Sequence, residues 1–387
     1  MCAKSIYPDL ENQYQIPTYL KWPITLVEGA GCKVRDSEGV EYLDLYGGHC
    51  VAVIGHCHPG WVKAISQQAG RLGFYSNVAS NDIRAIYQQR LIDFSPRHLR
   101  RLFLCNSGAE ANETALKVAL KATGRNGLVA MKGGFHGRTA GALSVTTIGS
   151  YRDQFPSLVR DVSVAEFGDL ESLLKLLNSD IAAVILEPIQ SMNGIRTAYT
   201  GYLSNLVELC HKNGTMVIFD EIQTGMGRTG STFASERFEC KPDLLTIAKG
   251  LANGIPSGAV LATEEVALEI KPGELGSTFG GGPVACAAGL AVLDAIESEK
   301  LIENALYLES VAHQMLITGP VSSVRGYGLL LGLETNVPAR AVTRFLFENK
   351  ILAGTSADPH VVRLMPPLTI GEKELEKLAT VLAKFPV

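Results

Sequence analysis

Met216-Val217-Ile218-Phe219-Asp220 is the stretch on which the fold turns. Four apolar residues of strand length end on a carboxylate, and Glu221-Ile222-Gln223 follow. Twenty-nine positions after Asp220, a second apolar run, Leu244-Leu245-Thr246-Ile247-Ala248, ends on Lys249 and turns through Gly250. Two strands that read as buried therefore deliver an acid and an amine to carboxyl ends, where open α/β sheets bind their ligands.

Working outward, strand and helix candidates alternate from about 56 to 290. The strands are expected at 101–105, 127–131, 161–165, 181–186, 215–219 and 244–248. The helices are expected at 61–72, 82–94, 109–123, 169–178 and 201–213. Such alternation predicts an α/β fold, a mostly parallel sheet covered on both faces. Short strands at 25–27, 33–35 and 42–45 precede it. Gly280-Gly281-Gly282-Pro283 punctuates the chain before an Ala-rich helix at about 284–298, and an amphipathic helix near 371–384 ends it. The expected division is 1–55 as the N-terminal part of a smaller α+β domain, 56–290 as the large domain, and 291–387 as the rest of the smaller one.

At 387 residues, 46% hydrophobic and 19% charged, the chain has ample material for a core. A net charge of −4 with no basic block argues against nucleic acid as partner. No apolar run is long enough for a membrane span. The N-terminus carries acids early and reads as neither signal peptide nor presequence. Eight scattered cysteines form no CxxC pair, which suggests a reduced, cytoplasmic protein.

Asn106-Ser107-Gly108-Ala109-Glu110-Ala111-Asn112-Glu113 follows a strand and opens a helix. Ser107 with Glu110 fits a capping box, whose plain reading is a good helix start. Ser107-Gly108-Ala109 also leaves the first helix amides uncovered, a seat for a phosphate dianion. Gly276-Ser277-Thr278 is a second phosphate candidate. Gly225-Met226-Gly227-Arg228-Thr229-Gly230 spells a dinucleotide fingerprint, but it lies past its strand and no amphipathic helix follows, so it is dismissed.

In Gly133-Gly134-Phe135-His136-Gly137-Arg138, Phe135 offers an aromatic face for a flat ring, and Arg138 a fork for a carboxylate. Arg363 lies in an apolar strand, Val361-Val362-Arg363-Leu364, and is expected to meet an anion or an internal ion pair. His56-Cys57-His58, with His49 and Cys50 nearby, looks like a metal cluster, but adjacent ligands cannot converge on zinc. It is read as structural, and no metal is expected.

Together these motifs resemble the class III aminotransferases of fold type I, in particular the acetylornithine branch beside the ornithine and 4-aminobutyrate branches. The resemblance spans nearly the whole chain. It runs through Gly55-His56-Cys57-His58-Pro59, the Asn106–Glu113 run, Phe135-His136-Gly137-Arg138, and Glu187-Pro188-Ile189-Gln190. It continues through Asp220-Glu221-Ile222-Gln223-Thr224-Gly225, Ala248-Lys249-Gly250, Gly276-Ser277-Thr278-Phe279-Gly280-Gly281 and Arg363.

The resemblance implies a seven-stranded sheet and pyridoxal 5'-phosphate as cofactor. Lys249 would bind the cofactor aldehyde and shuttle the proton. Asp220 would pair with the pyridinium nitrogen, a contact worth about 4 kcal/mol at an effective dielectric near 20. Gln223 would contact the phenolic oxygen, and Phe135 would stack on the ring. His136 and Glu187 would line the cofactor. Ser107, Gly108 and Ala109 would hold the phosphate, with Ser277 and Thr278 reaching it from a neighbouring subunit. That implies a homodimer with shared active sites. Arg138, Arg363 and Tyr75 would bind the substrate. An amino donor would pass its amino group to 2-oxoglutarate or another oxo acid, ping-pong, through pyridoxamine phosphate. A racemase or decarboxylase of the same class is the alternative.

One departure stands out. In those relatives a glutamate follows the Glu-Pro-Ile-Gln run and gates the second arginine. Here the run continues Ser191-Met192-Asn193-Gly194, which places Met192 at the gate. An ungated Arg363 is expected to favour donors with an α-carboxylate over ω-amino donors.

Overall fold

The computed structural model describes residues 6–386. Cys2 and the start of the N-terminal reading lie outside them. Seven strands form the central sheet. Edge to edge, they are Arg101–Cys105, Gly258–Ala262, Leu244–Ile247, Met216–Asp220, Ile181–Leu186, Gly127–Met131 and Ser163–Ala165. Five of them pair in parallel from Leu244–Ile247 outward. Gly258–Ala262 alone runs antiparallel, to both of its neighbours. Every residue of Ile181–Leu186 is buried, which is why it reads as an unbroken apolar run rather than an alternating one.

Gly258–Ala262 is the strand that the sequence reading missed. Its glycine and alanines carry little β-propensity, and it follows Lys249 too closely to suggest another crossover. The helix expected at 169–178 is only Leu170–Leu174, capped by Asp169. Leu176 and Leu177 pack on the core from the turn that follows it. The other helices fall close to their expected ranges: Pro59–Arg71, Asp82–Phe94, Gly108–Thr123, Tyr202–Lys212, Pro283–Ser298 and Glu372–Leu382.

Leu26–Ala30, Lys33–Asp36 and Glu41–Asp44 form an antiparallel meander, to which the late strand Ile351–Leu352 adds in parallel. Val321–Tyr327, Leu330–Thr335 and Val361–Leu364 form a third, antiparallel sheet. Because most central strands share one direction, the loops after Cys105, Met131, Leu186, Asp220 and Ile247 all leave from the same rim. The candidate site is built there.

Candidate active site

Asp220 ends its strand 3% exposed. Its Oδ2 accepts from Asn112 Nδ2 and pairs with His136 Nδ1, both at 2.8 Å, and its Oδ1 accepts from the Ile222 amide at 3.1 Å. Asn112 is fixed in turn: its Nδ2 also donates to the His136 carbonyl at 2.7 Å, and its Oδ1 accepts from Thr246 Oγ1 at 2.7 Å. A carboxylate this buried needs such donors. The sequence reading named Asn112 and Thr246 only as members of motifs. Their signal was a polar side chain at an apolar position. Asn112 follows buried Ala111, and Thr246 lies in a wholly buried strand.

Lys249 opens a short 3-10 turn, Lys249–Ala252, with φ at +37°, a left-handed value that L residues seldom adopt. Its amine makes no hydrogen bond or ion pair among the described residues. Burial holds its pKa below the usual lysine value, partly opposed by Cys50, Asp220 and Glu187. A lowered amine pKa is what a lysine needs to attack a carbonyl.

The amides of Ser107, Gly108 and Ala109 find no acceptor among the described residues, and they open the 16-residue helix Gly108–Thr123. Ser107 Oγ accepts from the Glu110 amide at 3.2 Å. The expected capping box is offset by one residue. The Glu110 carboxylate takes the Asn106 amide at 2.7 Å rather than that of Ser107. The offset leaves three consecutive donors at the positive end of the helix dipole. Gly258 lets the antiparallel strand come close behind them: a Cβ there would lie 2.6 Å from the Ser107 carbonyl oxygen.

Between these ends, Glu187 accepts from the Phe135 amide at 2.9 Å and the Ser191 amide at 3.3 Å. Burial pushes its pKa up to about 7, against the pull of His136. The half-buried Phe135 ring meets Tyr151 edge-on at 5.7 Å. Gln223 Oε1 and His136 Nε2 are buried without a partner. Such atoms are rare in a folded protein unless a ligand takes them.

Arg363 is 2% exposed. Its Nε donates to the Thr355 carbonyl at 2.7 Å and its Nη1 to Ser191 Oγ at 3.2 Å. No internal ion pair is found for it among the described residues. Burial lowers its pKa. Arg138 is exposed and lies over the Tyr151 ring, 4.7 Å from its centroid.

Ser277 Oγ accepts from Asn106 Nδ2 and from the Gly280 amide, both at 3.1 Å, while Thr278 and Tyr75 are exposed. His56 Nε2 pairs with Asp44 at 2.8 Å and His58 Nε2 with Glu299 at 2.7 Å. The four-residue helix Ala234–Arg237 is all that follows the Gly225–Gly230 run.

A family model described as "Aminotransferase class-III" matches residues 14–385. The chain belongs to the class-III aminotransferases. Its relatives include the acetylornithine aminotransferase of Methanopyrus kandleri, 44% identical over 97% of both chains. A crystal structure of Toxoplasma gondii ornithine aminotransferase superposes with a TM-score of 0.93 at 31% identity, covering 99% of this chain and 95% of that one. A second structure of that enzyme has a TM-score of 0.91 at 31% identity and covers 98% and 93%. It is described as having partial occupancy of PLP at its active site. As a class-III aminotransferase, this chain is a pyridoxal-phosphate enzyme with the fold type I architecture, and it transaminates amino acids. The free amides, the buried carboxylate, the uncommitted lysine and the two orphaned polar atoms suit that cofactor's phosphate, ring nitrogen, aldehyde and ring substituents.

Proposed function

We propose that the enzyme moves an amino group from an acetylornithine-like or other amino-acid donor to 2-oxoglutarate or another oxo acid. The observation that carries this reading is the buried triad Asn112, Asp220 and His136, with Lys249 leaving the next strand of the same rim. Pyridoxal phosphate, when bound, supplies an electron sink for the carbanion formed at the substrate carbon. Asp220 holds a proton on the ring nitrogen. Lys249 holds the aldehyde and moves the proton at the reacting carbon. Ser107, Gly108 and Ala109 donate their amides to the phosphate. Phe135 covers the ring, His136 and Glu187 line it, and Gln223 orients its oxygen. Arg363 and Arg138 receive carboxylates, and Tyr75 contacts the substrate.

We further propose a homodimer that shares its sites through Ser277 and Thr278. Supporting it, Phe74, Tyr75, Val78 and Phe279 are exposed beside Thr278, and the Phe74 and Phe279 rings lie 5.5 Å apart. Asn77 donates to the Ser277 and Gly280 carbonyls, which ties the two loops into one surface. Apolar patches of this kind mark interfaces. Residues 1–55 and 291–387 are proposed as a small domain flanking a large one, 56–290. A cytoplasmic location is supported by the seven unpaired cysteines among the described residues.

The test is the visible spectrum of the protein loaded with pyridoxal phosphate. L-glutamate, N-acetyl-L-ornithine, 4-aminobutyrate and L-alanine are added one at a time. A yellow band that bleaches with one donor and returns with an oxo acid supports the reading and names the donor. A band that persists while one donor is epimerised or decarboxylated overturns it.

A further inference from the structure

The loop that carries Thr278 is fastened to the helix whose first amides would hold the phosphate, and Asn106 makes the fastening next to those amides. The Asn106 backbone amide and its Nδ2 both donate to Glu110 Oε2, at 2.7 and 3.0 Å. Nδ2 has a second proton, which goes to Ser277 Oγ at 3.1 Å. The Glu110 carboxylate fixes which way the side-chain amide faces, since an Asn106 oxygen turned toward it would set acceptor against acceptor. Asn106 and Ser277 are 171 positions apart in the chain.

The start of the loop is held as well. Lys121, in the last turn of helix Gly108–Thr123, pairs with Glu274 at 2.7 Å, and Glu274 also takes the Lys271 amide at 2.8 Å. Leu275 packs on the apolar cluster that includes Ala111, Ala115, Val118 and Ala119 of that helix. A Cβ on Gly280 would run into the Leu104 carbonyl oxygen, so the end of the loop lies directly on the strand that leads to Ser107. Gly276, Thr278 and Phe279 stay exposed. Loop 271–280 is thus tied to both ends of the phosphate helix and offers its tip outward.

Ser277 Oγ spends both lone pairs, on Asn106 Nδ2 and on the Gly280 amide at 3.1 Å. Its O–H is left to donate, and it finds no acceptor among the described residues. The Ser107 amide belongs to the Asn106–Ser107 peptide plane. A phosphate held by that amide fixes the plane, and with it the Cα from which the Asn106 side chain leaves for Ser277.

We propose that Asn106 is a positioning residue that couples the two cofactor seats of the dimer. Phosphate bound at Ser107–Ala109 of one chain sets the Ser277 hydroxyl and the Thr278 that the same chain offers to its neighbour's phosphate. The two cofactors then bind with positive cooperativity. The proposal rests on the reading of a homodimer that shares its sites through Ser277 and Thr278.

The test titrates cofactor-free enzyme with pyridoxamine phosphate, which makes no covalent bond to Lys249, and resolves the two binding steps by calorimetry. In wild type the second step is expected to have an intrinsic affinity about fivefold to tenfold above that of the first. Asn106→Ala is expected to bring that ratio to about one, because the tie to Ser277 is gone while the phosphate amides remain. Ser277→Ala is expected to do the same from the other side of the bond, and Ser277→Thr, which keeps the hydroxyl, to retain the ratio. A merely structural loss would lower both steps together and leave their ratio alone. Equal steps in wild type, or an unchanged ratio in Asn106→Ala, overturns the proposal. Thr278→Ala separates it from the underlying reading. If that variant binds pyridoxamine phosphate as tightly as wild type, it is the shared site that fails. If it binds more weakly while Asn106→Ala keeps the wild-type ratio, the sites are shared and the coupling alone fails.

Discussion

Asn112 Nδ2 lies 2.8 Å from Asp220 Oδ2, while Thr246 Oγ1, on the neighbouring strand, holds the Asn112 carbonyl at 2.7 Å. The acid that would face the ring nitrogen is thus braced from helix Gly108–Thr123 and from strand Leu244–Ile247 together. Asp220→Asn removes the charge and keeps the shape. It is expected to lower kcat about a thousandfold, as loss of a close ion pair in a shielded site would. Asn112→Ala keeps the charge and loses the brace. A drop of about tenfold in kcat, with KM for the donor nearly unchanged, is expected from steady-state kinetics.

Lys249→Ala removes the amine proposed to hold the aldehyde. The protein is expected to keep cofactor on the Ser107–Ala109 amides, yet borohydride should no longer fix cofactor to the peptide that contains position 249. Mass spectrometry of the digest reads this directly. Turnover should fall by about 10⁴-fold or more, since both covalent binding and proton transfer are lost.

The raised Glu187 carboxyl makes a statement about stability. Its folded pKa of about 7 exceeds the ordinary 4.5, so the folded protein holds a proton there that the unfolded chain has released. Stability from this group is full below about pH 4.5 and is lost as pH rises through 7. Urea melts of cofactor-free protein at pH 5 and pH 8 should therefore differ more in wild type than in Glu187→Gln. The double difference is expected to be on the order of 3 kcal/mol. Equal pH dependence in the two proteins would refute the assignment.

Met192 leaves Arg363 without a carboxylate partner, and Ser191 takes its Nη1 instead. Met192→Glu would supply the charge. The ratio of kcat/KM for 4-aminobutyrate over L-glutamate is expected to rise about tenfold or more. A ratio that stays flat removes the gate argument.

Phe279 is 64% exposed beside Thr278. Phe279→Asp should convert the proposed dimer to a monomer in sedimentation and weaken cofactor binding along with it. A monomeric wild-type protein would remove the shared-site proposal.

Much of the architecture was legible because its signals are local. Five of the seven central strands lie within two residues of their expected ranges, 161–165 narrows to Ser163–Ala165, and the helices came through in much the same way. Length, apolar runs and glycine punctuation are enough for that. The family motifs likewise marked Asp220, Lys249 and the Ser107 amides, which gather on one rim. The missed parts depend on distance in the chain. Gly258–Ala262 sits between Leu244–Ile247 and Arg101–Cys105, the latter about 155 positions earlier. Arg363 and Ser191, 172 positions apart, meet only in the fold. Ser191 was passed over for its neighbour Met192. Nothing in the sequence tells which of the two faces the guanidinium.

The antiparallel strand also sets an order of events during folding. Arg101–Cys105, which leads into the Ser107 amides, joins the sheet only by pairing with Gly258–Ala262, and that strand is made after Lys249. Closing so long a loop is slow compared with forming local pairs. A refolding chain should therefore have its helices and most of its sheet before it has both ends of the cofactor seat. The yellow colour would then appear last, as a clock for completed folding, and a half-folded chain would leave the cofactor in solution.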